Sequence, residues 1–74
     1  MSTRNEAYIQ AFGKHLRKLR EGKGLTQEEL SNRSGLAFSQ IGRFERGIRS
    51  PTLSTILSLS FGLNVHPKDL LDFN

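Results

Sequence analysis

The chain contains no cysteine among its 74 residues. Disulfide bonds and thiolate metal ligands are therefore excluded, and the absence suits a reducing cytoplasm. The histidines, His15 and His66, stand alone in the sequence and are too few for a zinc site. We expect the protein to hold no metal ion and no other cofactor.

Long apolar runs are also absent. No stretch approaches the ~20 residues that a transmembrane helix requires. Residues 1–6 (MSTRNE) lack the apolar core of a secretory signal. We therefore expect a cytoplasmic protein that is neither exported nor inserted into a membrane.

The short length limits the chain to one domain. We expect that domain to span residues 1–74, with its core over residues 12–71 and a flexible segment over residues 1–5. A domain of this size buries only ~60% of the surface that its unfolded chain exposes. Its stability should be modest, and a partner subunit could supplement it.

What the sequence does have is an excess of positive charge. The formal net charge is +4 and the isoelectric point is about 10.1, which favours a polyanionic partner such as nucleic acid or an anionic membrane surface. Eight of the eleven basic residues form two groups along the chain. One comprises Lys14, Arg17, Lys18, Arg20 and Lys23, and the other comprises Arg43, Arg46 and Arg49.

Apolar residues at helical spacing predict a first helix over residues 6–23. Its apolar stripe comprises Tyr8, Phe12, Leu16 and Leu19. Gly24 suits the left-handed conformation that commonly ends a helix.

A capping box predicts where the second helix begins. Thr26 is followed three residues later by Glu29, so the hydroxyl can accept an early backbone amide while the carboxylate accepts the amide of Thr26. We expect this helix over residues 27–33, with a tight turn at Gly35.

The third helix should run over residues 38–46 and end at Gly47. Ile41 and Phe44, three residues apart, should face the core. Two helices joined by a short turn with a glycine form the supersecondary unit of many DNA-binding proteins. The same unit also occurs in proteins that do not bind DNA.

A fourth helix should begin after Thr52 and stop at Asn64, which tolerates the left-handed conformation. Its predicted core face comprises Leu53, Ile56, Leu57, Ser60 and Leu63. Residues 66–71 predict a short fifth helix with Pro67 at its first position. No segment alternates with period two for long enough to predict a strand. The expected fold class is therefore all-α, a compact five-helix bundle.

Four segments match a known pattern: residues 24–30 (GLTQEEL), 34–36 (SGL), 41–47 (IGRFERG) and 50–53 (SPTL). Their residues and spacing resemble the lambda-repressor/Cro family, also called the xenobiotic-response-element (XRE) type, over about residues 12–71. The resemblance implies a lambda-repressor-like domain with the helix-turn-helix at helices 2 and 3, and the third helix in the major groove of double-stranded DNA. It also implies a transcriptional regulator that binds a palindromic operator as a homodimer.

In such proteins the outward side of the third helix meets base edges. The resemblance assigns base contacts here to Phe38, Ser39, Gln40 and Arg43. Arginine can pair bidentately with guanine, and an apolar group can contact a thymine methyl. As alternatives, Arg43 is a solvated charge or a phosphate contact, and Phe38 packs against its own domain. Ala37 departs from the serine or threonine cap common in the family, so the start of this helix could fray without DNA.

Phosphate contacts are expected at Gln27, Arg46 and Arg49. Gln27 lies at the start of the second helix, where free amides attract an anion. The two arginines flank the end of the third helix, where charge positions the protein without reading sequence. The alternative for all three is a solvated surface residue. The family pattern further implies a mostly buried structural ion pair between Arg20 and Glu45.

Apolar residues near the C-terminus predict a homodimer. Exposed apolar groups that cluster usually mark an interface, and the expected interface comprises Phe61, Leu70, Leu71 and Phe73. The alternative is that Phe61 and Phe73 cover the end of the bundle.

Two classes of function follow. One is a sequence-specific DNA-binding transcriptional regulator, a repressor or an autoregulating controller, with no small-molecule ligand evident. The other is a protein-interaction module or antitoxin-type partner-binding protein that retains the fold. An enzyme is not expected, because the acids near the motif, Glu28, Glu29 and Glu45, are not accompanied by a nucleophile, a base and an oxyanion-binding loop.

Overall fold

The computed structural model describes residues 5–73 and contains, over that range, four α-helices and one 3-10 turn. The helices are α1 (Glu6–Gly22), α2 (Gln27–Ser34), α3 (Phe38–Glu45) and α4 (Leu53–Leu63), and the 3-10 turn spans Pro67–Leu70. No strand occurs within these residues. The all-helical class is confirmed, whereas the expected fifth α-helix is a single 3-10 turn.

The first helix begins at a side-chain cap. The Asn5 side-chain oxygen accepts the amide of Tyr8 at 3.0 Å. The other residues of the expected flexible segment, 1–4, lie outside the described residues. The buried residues on the inner face of α1 are Ile9, Phe12, Gly13, Leu16 and Arg20. Tyr8 is 51% exposed, so the predicted stripe was wrong there, and the core face begins one residue later.

The capping box that predicts the second helix is present. The Glu29 amide donates to Thr26 Oγ1 at 3.0 Å, and the Thr26 amide donates to Glu29 Oε1 at 2.9 Å. Behind the box, the side chain of Leu30 is fully buried. Gly35 ends α2 in the left-handed conformation with φ 76°, as the turn required.

The α4 helix packs with a different face from the one predicted. Its buried residues are Ile56, Leu59, Ser60, Gly62 and Leu63. Leu53 and Leu57 are 88% and 52% exposed. The prediction was wrong for these two because this helix is apolar on several sides, so periodicity alone does not select the inner one. Packing selects it: a Cβ on Gly62 would lie 2.8 Å from Cδ1 of Leu30 in α2.

The α1 and α3 helices approach closely at Gly13. A Cβ at this position would collide with the carbonyl oxygen of Phe44 and would lie 2.8 Å from the carbonyl oxygen of Glu45. Only glycine allows the two backbones to come this near. Gly13 therefore positions the C-terminal end of α3 against the middle of α1.

Phe73 folds back onto α1. Its ring centroid lies 5.1 Å from that of Tyr8, 6.4 Å from that of Phe12 and 5.3 Å from that of His15. His15 Nε2 also contacts the carbonyl oxygen of Asp69 at 2.6 Å, which ties α1 to the 3-10 turn. The Phe73 ring is thus engaged within its own domain, as the alternative reading of this residue held.

Three of the seven exposed large apolar residues within residues 5–73 lie on α4. Leu70, expected in a dimer interface, is fully buried in the core, and that prediction was wrong because the 3-10 turn directs it inward. Phe61 is 77% exposed and Leu71 46% exposed. Leu53, Leu57 and Phe61 form what we call the α4 apolar row, and Leu71 directly follows the 3-10 turn.

Candidate nucleic-acid interface

The α2 and α3 helices are joined by residues 35–37 alone. This short connection leaves α3 with one side against the core and the other in solvent. On the inner side, Ile41 and Phe44 are 0% and 2% exposed, as predicted. Their burial fixes the rotation of α3 about its axis, and hence which side chains face outward.

The outward edge of α3 carries Phe38, Ser39 and Arg43, all exposed. Ser39 and Arg43 are four residues apart and share one side of the helix. Phe38 is 57% exposed, so its ring is not buried in its own domain. A phenyl ring, a hydroxyl and a guanidinium on one edge can contact a thymine methyl, donate or accept a hydrogen bond, and pair bidentately with guanine.

Gln40, the fourth candidate for base contact, is half-buried and engaged within the helix start. Its Oε1 accepts the amide of Ala37 at 3.0 Å. Ala37 itself has no side-chain oxygen with which to cap α3. The start of α3 therefore has half of a capping box, supplied by Gln40 alone.

Behind the outward edge, Arg20 and Glu45 form the ion pair that joins α1 to α3. Arg20 Nε lies 2.6 Å from Glu45 Oε2, and Arg20 Nη2 lies 2.9 Å from Glu45 Oε1. The two side chains are 9% and 3% exposed. Arg20 Nη1 also donates to the carbonyl oxygen of Leu25 at 2.7 Å. The hydrogen bond to Glu45, with its negative charge, raises the pKa of Arg20 despite the opposing effect of burial.

Gln27 extends this ion pair to the first residue of α2. Its Nε2 donates to Glu45 Oε1 at 3.0 Å, so a single carboxylate holds groups from α1 and α2 at the end of α3. One amide hydrogen of Gln27 is used in this contact. The second hydrogen and the Oε1 atom are left for a ligand at the start of α2.

Arg46 and Arg49 follow Arg43 at the C-terminal end of α3 and in the loop beyond it. All three are exposed, and none has a carboxylate partner within residues 5–73. The guanidinium of Arg46 lies along α3, with Nη1 3.0 Å from where a Cβ on Gly42 would stand. This end of the interface therefore carries unneutralised positive charge.

Two contacts at this surface escaped sequence reasoning. The Gln27–Glu45 hydrogen bond joins residues eighteen positions apart, so no local sequence pattern predicts it. The Gln40–Ala37 contact did have a signal, because a glutamine three residues after a helix cap is the second half of a capping box.

Other kinds of site find no support in the part of the chain that the structure describes. No group of histidine and acidic side chains there could hold a metal ion. No helix there is long and apolar enough to cross a membrane.

A family profile described as Helix-turn-helix matches residues 16–70. The chain belongs to this family of DNA-binding transcriptional regulators. The matched range includes α2, the turn and α3, together with the Arg20–Glu45 pair. The resemblance to XRE-type proteins that the sequence suggested is thereby confirmed.

Relatives of similar length support the same family. The HTH-type transcriptional regulator y4dJ of Sinorhizobium fredii is 41% identical over 59 residues, covering 80% of this chain and 77% of the relative. Control protein C.BamHI of Bacillus amyloliquefaciens is 41% identical over 63 residues, covering 84% and 78%. Among solved structures, the restriction-modification controller protein C.AhdI from Aeromonas hydrophila superposes with a TM-score of 0.84 at 45% identity, covering 86% of this chain and 97% of that one.

Proposed function

We propose that this protein is a controller-type regulator that binds a palindromic operator in double-stranded DNA as a homodimer, with α3 in the major groove. The observation that carries the proposal is the outward edge of α3. Ile41 and Phe44 anchor the helix from behind, while Phe38, Ser39 and Arg43 remain free to meet base edges. A helix held rigidly with a mixed polar and apolar edge is suited to direct readout.

The interface residues divide into two roles. Arg43 supplies base specificity through a bidentate contact to guanine, and Phe38, Ser39 and Gln40 shape the neighbouring readout. Gln27, Arg46 and Arg49 bind phosphates on either side of α3 and so set the register of the protein on the duplex. Gln27 is well placed for this role because Glu45 orients its amide at the first turn of α2.

The proposed homodimer uses the α4 apolar row. Leu53, Leu57 and Phe61 recur every four residues, so they lie along one side of α4. A two-fold axis through this row buries the same residues of both copies against each other. Such an axis presents two α3 helices to successive major grooves, about 34 Å apart.

The relatives supply the regulatory context of the proposal. C.BamHI carries the name of a control protein and C.AhdI that of a restriction-modification controller, and both match most of their length to this chain. We therefore propose that the protein represses or autoregulates transcription of its own operon, in which restriction-modification genes are the first candidates. The genes that flank its own are the direct check of this assignment.

Selection of bound sites from random duplex DNA tests the function. We expect a palindrome with half-sites about one helical turn apart to be enriched, and binding to weaken steeply with salt because phosphate contacts release counterions. If the protein retains only sequence-independent, salt-sensitive binding, the operator assignment is wrong. A complete lack of binding to duplex DNA at low salt would favour the protein-interaction module instead.

A further inference from the structure

A cavity at the meeting point of the first three helices lies beside the outward edge of α3. Its volume is about 560 Å³, and its lining includes Arg17 and Arg20 of α1, Gln27 and Glu28 of α2, and Phe38 of α3. Gln27 and Phe38 belong to the proposed DNA interface. The cavity therefore brings one side of α1, with its two arginines, next to the surface that faces DNA.

The two arginines of this cavity differ in how much of each guanidinium is already engaged. Arg20 donates through all three of its nitrogens, to Glu45 and to the carbonyl oxygen of Leu25, and its side chain is 9% exposed. The Arg17 side chain is 64% exposed. Within residues 5–73 only its Nε has a partner, Glu21 Oε2 at 3.2 Å. Arg17 therefore has two nitrogens, Nη1 and Nη2, that can donate to a ligand.

Glu21, one helical turn after Arg17, is the anion that a ligand of Arg17 would have to replace. Its side chain is 56% exposed, so the pair is weak and is easily broken. The charge of Glu21 also reaches the cavity: among the effects that raise the pKa of Arg20, the hydrogen bond to Glu45 is the largest and the charge of Glu21 is a further one. An anion that enters the cavity is thus attracted by Arg17 and repelled by Glu21, and Glu28 on the α2 wall adds to the repulsion.

We propose that Arg17 binds a phosphate of the operator and that Glu21 competes with the DNA for the Arg17 guanidinium. The proposal rests on the proposed function, which places a DNA strand against Gln27 at the start of α2. Phosphate and carboxylate oxygens are alternative partners for a guanidinium, so Arg17 exchanges Glu21 for a phosphate when DNA binds. In this way α1 supplies one phosphate contact and also the acidic residue that weakens it.

Two variants of this ion pair should change the affinity for DNA in opposite directions. Glu21→Gln leaves Arg17 without a competing carboxylate, and we expect it to bind duplex DNA about two- to fivefold more tightly than the parent, which is the range set by the strength of exposed ion pairs. Arg17→Gln should bind about fivefold more weakly and lower the salt slope by about one. Base preference should be unchanged in both variants, because a phosphate contact carries no sequence information.

Two control variants make the same changes of charge elsewhere on the domain. Lys18→Gln removes a positive charge from the residue next to Arg17, and Asp72→Asn removes a negative charge, as Glu21→Gln does. Lys18 and Asp72 line a different cavity, between α1 and Phe73. At about 0.1 M salt the effect of a charge falls off over about 10 Å, so each control should change the affinity by less than about twofold. All four substituted side chains are exposed, so none of these variants should unfold the protein.

Duplexes with single uncharged linkages identify the phosphate that Arg17 binds. A methylphosphonate replaces one phosphate at a time in the selected operator, and the affinities of the parent and of Arg17→Gln are measured for each duplex. At one position in each half-site the uncharged linkage should weaken the parent about fivefold but leave Arg17→Gln unchanged. At every other position the two proteins should lose affinity by the same factor.

Three results would overturn the proposal while leaving the proposed function intact, provided that the parent selects an operator. One is an Arg17→Gln protein that binds as tightly as Lys18→Gln. Another is a Glu21→Gln protein that binds no more tightly than Asp72→Asn. The third is a series of methylphosphonate duplexes on which the parent and Arg17→Gln always differ by the same factor. A parent that binds no duplex DNA overturns the proposed function and this inference together.

Discussion

Glu45 shows how one buried residue can organise a surface. Its side chain is 3% exposed, and its carboxylate accepts hydrogen bonds from Arg20 of α1 and Gln27 of α2. A buried ion pair adds little folding stability compared with an apolar pair of the same shape. Removing one partner is nevertheless strongly destabilising, because the other charge is left buried and unpaired. In this protein the Glu45 carboxylate positions the helices, because it joins α1, α2 and α3 at one point directly behind the outward edge of α3.

We expect Glu45→Ala to lower the free energy of unfolding by ~3–5 kcal/mol, because it leaves the Arg20 guanidinium buried without its carboxylate. The matched control is Glu21→Ala. It breaks an ion pair of Arg17 and Glu21 at 3.2 Å whose side chains are 64% and 56% exposed, so it should change stability by less than about 1 kcal/mol. Urea unfolding of the three proteins measures both. A Glu45→Ala protein that unfolds like the parent contradicts the prediction.

Arg43 lies in α3 and Arg46 directly follows its last residue, yet we expect their alanine variants to behave differently. Loss of a bidentate guanine contact should cost ~1–3 kcal/mol at the selected site and relax preference at one base pair. Loss of a phosphate contact should weaken binding to all sequences alike and reduce the salt slope by about one. Binding titrations of Arg43→Ala and Arg46→Ala on operator point variants, at several salt concentrations, distinguish the two. The reverse pattern would exchange the assigned roles.

At the scale of helices, the contact between α1 and α3 depends on the absence of a Cβ atom at Gly13. Gly13→Ala should destabilise the fold by ~1–3 kcal/mol or more, because its Cβ meets the backbone of α3. Gly22→Ala, at the other end of the same helix, meets nothing within 4 Å. It should be neutral or stabilising by up to ~1 kcal/mol, since alanine favours the helix. Thermal unfolding checks the pair, and equal effects would contradict the close approach.

The α2 capping box predicts a pH dependence. Hydrogen bonds from the Thr26 backbone and side chain lower the pKa of Glu29 below its ordinary value. A carboxyl group whose pKa falls on folding stabilises the folded state above its unfolded pKa, and that contribution is lost as the pH drops through the folded pKa. The stability difference between the parent and Glu29→Gln should therefore disappear in acid. Urea unfolding of both proteins from neutral pH to below pH ~4 checks this. A difference that stays constant over that range would show that Glu29 ionisation is not coupled to folding.

Helix boundaries were predictable where local chemistry determines them. The Thr26–Glu29 box, the left-handed Gly35 and the Asn64 stop all appear in the structure at the expected residues. The inner face of α4 was not predictable in the same way, because leucines on several of its sides satisfy a helical period equally well. Gly62 against Leu30 decides the matter, and that is a tertiary contact between distant parts of the chain.

The candidate site likewise has features that local sequence predicts and features that depend on tertiary contacts. The outward position of Arg43 follows from the burial of Ile41 and Phe44, both recognisable from spacing alone. The engagement of Gln40 by Ala37 and of Gln27 by Glu45 depends on where particular atoms lie after folding. Sequence reasoning therefore predicted which side of α3 faces outward, but not the hydrogen bonds that orient the Gln27 and Gln40 side chains.

At the scale of the whole molecule, the α4 apolar row stands out because its side chains are exposed to solvent and do not pack in the core of the domain. Phe61, the aromatic residue of this row, is 77% exposed. Its side chain does not contribute to the core, in which α4 buries Leu59 and Leu63 instead. A phenylalanine that is expendable for folding is well suited to hold two copies together.

We expect Phe61→Asp to abolish the dimer while leaving the monomer folded, because two carboxylates would face each other across the two-fold axis in an apolar surface. Phe38→Ala is the matched control: it removes an exposed phenylalanine from the α3 edge, 57% exposed, and should leave association unchanged while altering base preference. Sedimentation measures the mass of each protein. On DNA, Phe61→Asp should bind a full palindrome little better than a single half-site, since the gain from linking two sites is lost. If Phe61→Asp still sediments as a dimer, another surface of the protein forms the interface.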